Sequence, residues 1–238
     1  MTLTVTDLGY SYGPKRALDG VSFALDPGFT ALLGPNGAGK STLFSLLTRL
    51  FVTREGRISV AGHDMGTAPR AALARIGVVF QQPTLDLDMS VAANMRYFAA
   101  LHGIAGREAA RRTARALDRL GMAERASEKA RDLNGGHRRR MEIARALIHD
   151  PKVLLLDEPT VGLDFKSRQA IVEHVHGLAG GGLTVLWATH LVDEIHDGDR
   201  VVVLHRGRVL AHDRAGALRA GRPLAEVFMD MTAQEATA

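Results

Sequence analysis

Residues 34–42 read GPNGAGKST, and the flanks of this stretch decide the fold. The apolar run TALL lies immediately before it, and an apolar-periodic stretch at 43–51 predicts a helix immediately after it. A G-x-x-x-x-G-K-[ST] pattern between a buried strand and a helix is the arrangement of a phosphate loop. Gly34, Gly37 and Gly39 let backbone N–H groups curl around an anion with no Cβ in the way. Pro35, Asn36 and Ala38 complete the loop and are read with it as nucleotide-binding. A helix starting near Ser41 turns the positive end of its dipole toward the same anion. Lys40 then falls between the outer phosphates of a nucleotide, Ser41 offers its hydroxyl to Mg²⁺, and Thr42 closes the motif.

Outward from the loop, β-like runs appear at 3–8 (LTVTDL), 21–25 (VSFAL), 29–34 (FTALLG) and 56–62 (GRISVAG). Further on, IGVVF at 76–80, VLLLDE at 153–158, TVLWATH at 184–190 and RVVVLHRG at 200–207 are continuous apolar strands. A helical stretch at 167–178 separates two of them. Strands apolar on both faces that alternate with helices imply a parallel sheet. The middle of the chain reads differently. Ser90 can N-cap a helix reaching about residue 102. Residues 106–120 read as helix with Ala110, Ala114 and Leu117 on one face, and Met141, Ala144, Leu147 and Ile148 form another stripe. The expectation is one α/β domain over 1–238. Its core spans 1–81 and 151–210 and includes an N-terminal antiparallel β part; a helical insertion occupies 82–150. The tail, 211–238, is expected to make a short helix from Pro223 and then fray.

Hydrophobic residues make up 46% of the 238 positions, ample for a core, and cysteine is absent, which excludes disulfides and thiolate chemistry. The net charge is +4 and the pI about 9.7. That balance raises nucleic acid as a partner, but the arginines are scattered and aromatics are only 5%, too sparse for a base-stacking platform. The sequence shows no basic-then-apolar leader and no run of about 18 apolar residues, so a membrane role has to come through a partner.

Asp157 and Glu158 end an apolar strand, where α/β sites lie. Adjacent strand residues face opposite ways, so the two acids have different tasks. Asp157 is placed to hold Mg²⁺ through its water shell, and Glu158 to polarise an attacking water. His190 ends a neighbouring strand at the same edge and is placed to hydrogen-bond a γ-phosphate.

One motif is left over: LNGGHRRR at 133–140, where a glycine pair runs into a histidine and three arginines. In this company the sequence resembles the ATP-binding cassette family, the motor subunits of ABC transporters, from about residue 3 to 210. GPNGAGKST looks like the family's phosphate loop, Gln81 in VVFQQP its Q-loop glutamine and metal contact, and VLLLDEP its metal strand and base. Asp164 in VGLD looks like the D-loop, and His190 like the switch histidine. Tyr12 in YSYG matches the adenine-stacking aromatic, with Tyr10 as the substitute. Asn134, Gly135, Gly136 and His137 occupy the signature position.

The resemblance implies a P-loop NTPase of the ABC type that hydrolyses ATP with Mg²⁺. It implies two cassettes bound head to tail, each ATP lying between one phosphate loop and the other subunit's signature. The expected partners are a second cassette, a copy of this chain or a different one, and an integral membrane permease at the cytoplasmic face of the membrane. The permease is expected to contact 83–94. The family usually has serine at Asn134 and glutamine at His137. Asparagine caps a helix about as well as serine, and a histidine there brings possible pH sensitivity. The wording of QQPTLDLD and LNGGHRRR resembles the drug- and polysaccharide-exporter-like branch, in a subgroup associated with pyrroloquinoline-quinone-dependent alcohol oxidation.

Overall fold

A computed structural model describes residues 1–234 and contains two sheets. β1 (Leu3–Tyr12), β2 (Lys15–Leu25), β4 (Arg57–Val60) and β5 (His63–Asp64) form an antiparallel sheet in the order β2-β1-β4-β5. β3 (Gly28–Leu33), β6 (Ile76–Val79), β7 (Val153–Asp157), β8 (Thr184–Thr189), β9 (Arg200–His205) and β10 (Arg208–Arg214) form the other. Its order is β10-β9-β3-β8-β7-β6, parallel throughout except for the β9–β10 hairpin. The helices are α1 (Lys40–Leu47), α2 (Pro69–Leu73), α3 (Val91–Leu101), α4 (Gly106–Arg119), α5 (Gly135–Ala146), α6 (Phe165–Gly180), α7 (Ala215–Arg219) and α8 (Leu224–Gln234).

The continuous apolar strands face two cores by turns, because successive side chains leave opposite faces of a sheet. Ala31, Leu33, Leu154, Leu156, Val185 and Trp187 join one buried cluster with Met95 of α3, Leu117 of α4 and Met141 of α5. Leu32, Val153, Leu155, Leu186 and Ala188 join the other, with Phe44 of α1 and the inner face of the antiparallel sheet. The two phosphate-loop flanks thus lie in the middle of the molecule, with β3 paired to both β8 and β9.

Several boundaries differ from the sequence reading. α1 begins at Lys40 itself, and Arg49 in the left-handed region (φ 57°) follows its end, so the expected helix at 43–51 is earlier and shorter. α6 starts before Ser167 because Asp164 is its cap, accepting from Ser167 N at 2.9 Å. In α4 the buried side chains are Ala109, Thr113, Ala116 and Leu117, while Ala110 and Ala114 are exposed. The face is turned by one residue because alanines lie on both sides and cannot phase the helix. The expected tail at 211–238 begins inside strand β10, the end strand of its sheet, and it then forms α7 and α8. The expected frayed end falls partly at 235–238, outside the described residues. Ser90 caps α3 as the sequence reading has it, accepting from Ala93 N at 3.1 Å.

Candidate active site

The loop between β3 and α1 is shaped by contacts of its glycines. A Cβ on Gly34 would sit 2.5 Å from the Leu204 carbonyl oxygen, and one on Gly39 (φ 111°) would sit 2.9 Å from that of Ala17. Gly37 (φ 82°) has open space where a Cβ would go. Gly34 and Gly39 therefore let neighbouring backbone pack against the loop, while Gly37 leaves its outer side clear. Ala38 is buried in the core between the sheets. Lys40, 5% exposed, donates from Nζ to the carbonyls of Gly34 at 2.6 Å and Pro35 at 3.3 Å.

An open cleft of about 630 Å³ is lined by Tyr12, Pro35, Asn36, Gly37, Gly39, Lys40, Ser41, Thr42, Gln81 and Glu158, together with Lys15, Arg16, Ala17 and Arg206. That volume suits a nucleotide-sized ligand, and the basic residues suit its charge. Tyr12, 46% exposed, hydrogen-bonds Thr42 Oγ1 at 3.3 Å. Tyr10 stacks on Phe51 and is half-buried, so the ring offered to the cleft is that of Tyr12.

Glu158 is the meeting point. Its Oε1 lies 3.3 Å from Lys40 Nζ and 3.5 Å from His190 Nδ1. The chain turns at Glu158 into the left-handed region (φ 46°), which lifts the acid out of the line of β7. Asp157 remains in that line, buried below the cleft wall. Burial pushes its carboxyl above the usual range, the Glu158 charge adds to this, and Lys40 opposes it. A carboxylate disfavoured in this way gains from a neighbouring cation. The Ser41 hydroxyl and the Gln81 amide line the cleft, and with the Asp157 carboxylate they are oxygen donors of the kind Mg²⁺ takes.

The signature residues form a second group away from this cleft. Asn134 caps α5, its Oδ1 accepting from His137 N at 2.8 Å. Gly135 faces Leu163, and a Cβ on Gly136 would lie 2.7 Å from Ser167 Oγ and 2.9 Å from Ser167 Cβ. Ser167 Oγ in turn donates to Asp164 Oδ2 at 2.7 Å. Burial, with Arg125 and Arg140 nearby, pushes the His137 pKa down, so the ring is neutral at neutral pH.

Of the three arginines that follow, the middle one turns inward. Arg139 is buried and donates to the carbonyls of Phe80 at 2.7 Å and Gln81 at 2.8 Å, and to Glu142 Oε2 at 2.9 Å. Glu142 Oε1 accepts from Thr84 N at 2.9 Å, and Arg145 donates to Thr84 O at 2.7 Å. The signature helix thus grips the segment that carries Gln81. Sequence reasoning missed Glu142, Arg145 and the buried Glu194; the one available signal was an acid placed between arginines on an otherwise apolar stripe.

A separate cluster of His176, His196 and Asp199 brings possible metal-binding atoms within 4.8 Å of one another. The two imidazoles are stacked, with centroids 4.0 Å apart, so their in-plane lone pairs do not converge on one ion. His176 donates instead to Val172 O and Asp199 Oδ2, each at 2.9 Å, and makes a charge pair.

The family model described as ABC transporter matches residues 18–161. The chain belongs to the ABC transporter family. The cassette is 40% identical over 220 residues to daunorubicin resistance ATP-binding protein DrrA3 of Streptomyces coeruleorubidus, covering 92% of this chain and 70% of that protein. It is 36% identical over 211 residues to linearmycin resistance ATP-binding protein LnrL of Bacillus subtilis, covering 88% and 68%. A solved ATP-binding subunit of an ABC transporter superposes with a TM-score of 0.84 at 28% identity, covering 98% of this chain and all of that one. The cassette is thus an ATP-hydrolysing subunit of the exporter-like branch.

Proposed function

We propose that this cassette is the Mg²⁺-dependent motor of an exporter, working as a dimer on an integral membrane permease from the cytoplasmic side. The observation that carries the reading is the convergence of Lys40 and His190 on Glu158 Oε1, at 3.3 and 3.5 Å, on the wall of the phosphate-loop cleft. Tyr12 stacks on the base; Gly37 and its neighbours in the loop cradle the phosphates. Lys40 then exchanges its carbonyl partners for phosphate oxygens. Glu158 orients water in line with the γ-phosphate, and His190 holds that phosphate in place. Ser41, Gln81 and Asp157 would hold Mg²⁺, which when bound neutralises phosphate charge.

The separation of the signature group from the cleft supports a two-subunit site. Asn134, Gly135, Gly136 and His137 would face the partner's ATP, at the positive end of α5, with Asp164 beside them. No helix among the described residues is long and apolar enough to cross a membrane. The relatives named for drug resistance favour export of a small molecule; the quinone-linked subgroup rests on loop wording alone. The same relatives weigh against the alternative of an ATPase acting on nucleic acid or ribosomes.

The test is ATP binding and turnover of the protein purified with its membrane partner. Glu158→Gln should bind ATP normally while turnover falls by about 10²–10⁴-fold, the usual contribution of a positioned base. Turnover close to that of the unaltered protein would overturn the base assignment. Recovery of the tagged chain with ribosomes or nucleic acid, and with no membrane protein, would overturn the motor reading.

A further inference from the structure

We propose that Glu194 is a positioning residue for hydrolysis: its buried carboxylate braces the loop carrying Glu158 against the loop carrying His190. The inference rests on the ATP-hydrolysing reading above. Glu194 closes the short 3₁₀ turn Val192–Glu194 just past His190, and it is 1% exposed. Its Oε1 accepts from Thr160 Oγ1. Its Oε2 accepts from Trp187 Nε1 at 2.9 Å and Thr189 Oγ1 at 2.6 Å.

These donors are placed around the reacting groups and not within them. Thr189 Oγ1 also accepts from Leu191 N at 3.0 Å, so one hydroxyl ties both neighbours of His190 to Glu194. Thr160 lies in the turn that follows Glu158, and the Glu158 N–H donates to Ala188 O at 3.0 Å. The acid's loop is therefore held to β8 directly through its backbone and indirectly through Glu194, which binds Thr160 on one oxygen and Trp187 and Thr189 of β8 on the other. Between these two anchors sits the 3.5 Å approach of Glu158 to His190.

A buried carboxylate is a poor choice for stability alone, since an apolar side chain of similar volume often does as well. Its use here is geometric: three donors from two strand ends meet on one rigid acceptor. The turn following Thr160 leads to Asp164, so the brace also joins the base loop to the cap of α6.

The experiment compares steady-state ATP hydrolysis of the protein purified with its membrane partner with that of Thr160→Val and Thr160→Ser. Valine keeps the shape and removes one bond, leaving Trp187 and Thr189 on Glu194; serine keeps the hydroxyl. For Thr160→Val, kcat should fall on the order of 10–100-fold, as for a small misplacement of reacting groups, while KM for ATP stays within about twofold. Thr160→Ser should restore kcat to within about threefold, because the bond is remade. Emission from Trp187, the only tryptophan, should match the unaltered protein and show that the rest of the network is intact. A Thr160→Val protein with unaltered kcat would overturn the brace. So would a loss that disappears when rates are divided by the fraction of protein that binds nucleotide. No hydrolysis by the unaltered protein would instead overturn the functional reading beneath it.

Discussion

Gly136 is held by a neighbour in its own chain. The Cβ of an alanine there would come within 2.9 Å of Ser167 Cβ, and Ser167 cannot easily give way because it is tied to Asp164. Overpacking of this kind costs about 1–3 kcal/mol. Gly136→Ala should therefore lower the unfolding free energy measured in urea by that amount, and Ser167→Gly in the same protein should recover part of it through the vacated space. Additive losses in the double variant would show that the contact does not limit the fold. The sequence reading assigned the glycine pair only to the signature that faces a partner's ATP. The approach to Ser167 joins two motifs far apart in the chain, and no local pattern reveals it. Glu158 and Lys40 were legible for the opposite reason: each lies in a short motif whose strand and helix flanks fix where the side chain goes. Glu194 was illegible because its donors come from β8 and from the turn after β7, which only the fold brings together.

At the scale of elements, α5 does more than present a signature. Arg139, Glu142 and Arg145 form a buried charged row that holds the carbonyls of Phe80, Gln81 and Thr84. Burial raises the Glu142 pKa, and the arginines with the Thr84 N–H act against this. Removing one member of such a row leaves a buried charge uncompensated, typically at about 3–5 kcal/mol. Glu142→Ala should thus be strongly destabilised in urea, and the Thr84 amide, which donates to Glu142 Oε1, should exchange faster with solvent than amides of β7. Unchanged midpoint and exchange would mean that the row does not hold the segment. The strands were legible because both their faces are buried, which writes an unbroken apolar run. The face of α4 was not, since Ala109, Ala110, Ala114 and Ala116 satisfy helical spacing in more than one rotation. β10 was missed because it is an edge strand in a hairpin and no residue of it is fully buried, so neither an apolar run nor an alternation marks it.

Across the whole molecule, the histidines make folding sensitive to acid. Burial lowers the pKa of His102, His137 and His212, and that of His149 falls to about 4. His149 lies stacked on His102 at 4.0 Å, with Nε2 against Ile76 O at 2.9 Å. Its pKa falls first through burial and then through His102, with a smaller push from Arg112; the Ile76 carbonyl and Asp150 pull the other way. The unfolded chain takes up these protons near pH 6.5. Each such group therefore gives its full contribution above about pH 6.5 and loses it progressively as the pH falls toward the folded value. His176 has the opposite sign: burial alone would lower its pKa, but Asp199 raises it, so its contribution is present in acid and fades as the pH rises through the folded value. Asp157 and Glu142, with raised pKa values, also favour the folded state on acidification. Because these contributions overlap, the clean quantity is a difference between two proteins. His149→Gln keeps an amide donor for Ile76 O and does not titrate. Between pH 7 and 5 the unaltered protein should lose up to about 2 kcal/mol more than His149→Gln in urea unfolding. Equal losses in the two proteins would mean that the His102–His149 stack takes up its proton in the folded state without penalty. The acid sensitivity would then have to come from the other lowered histidines.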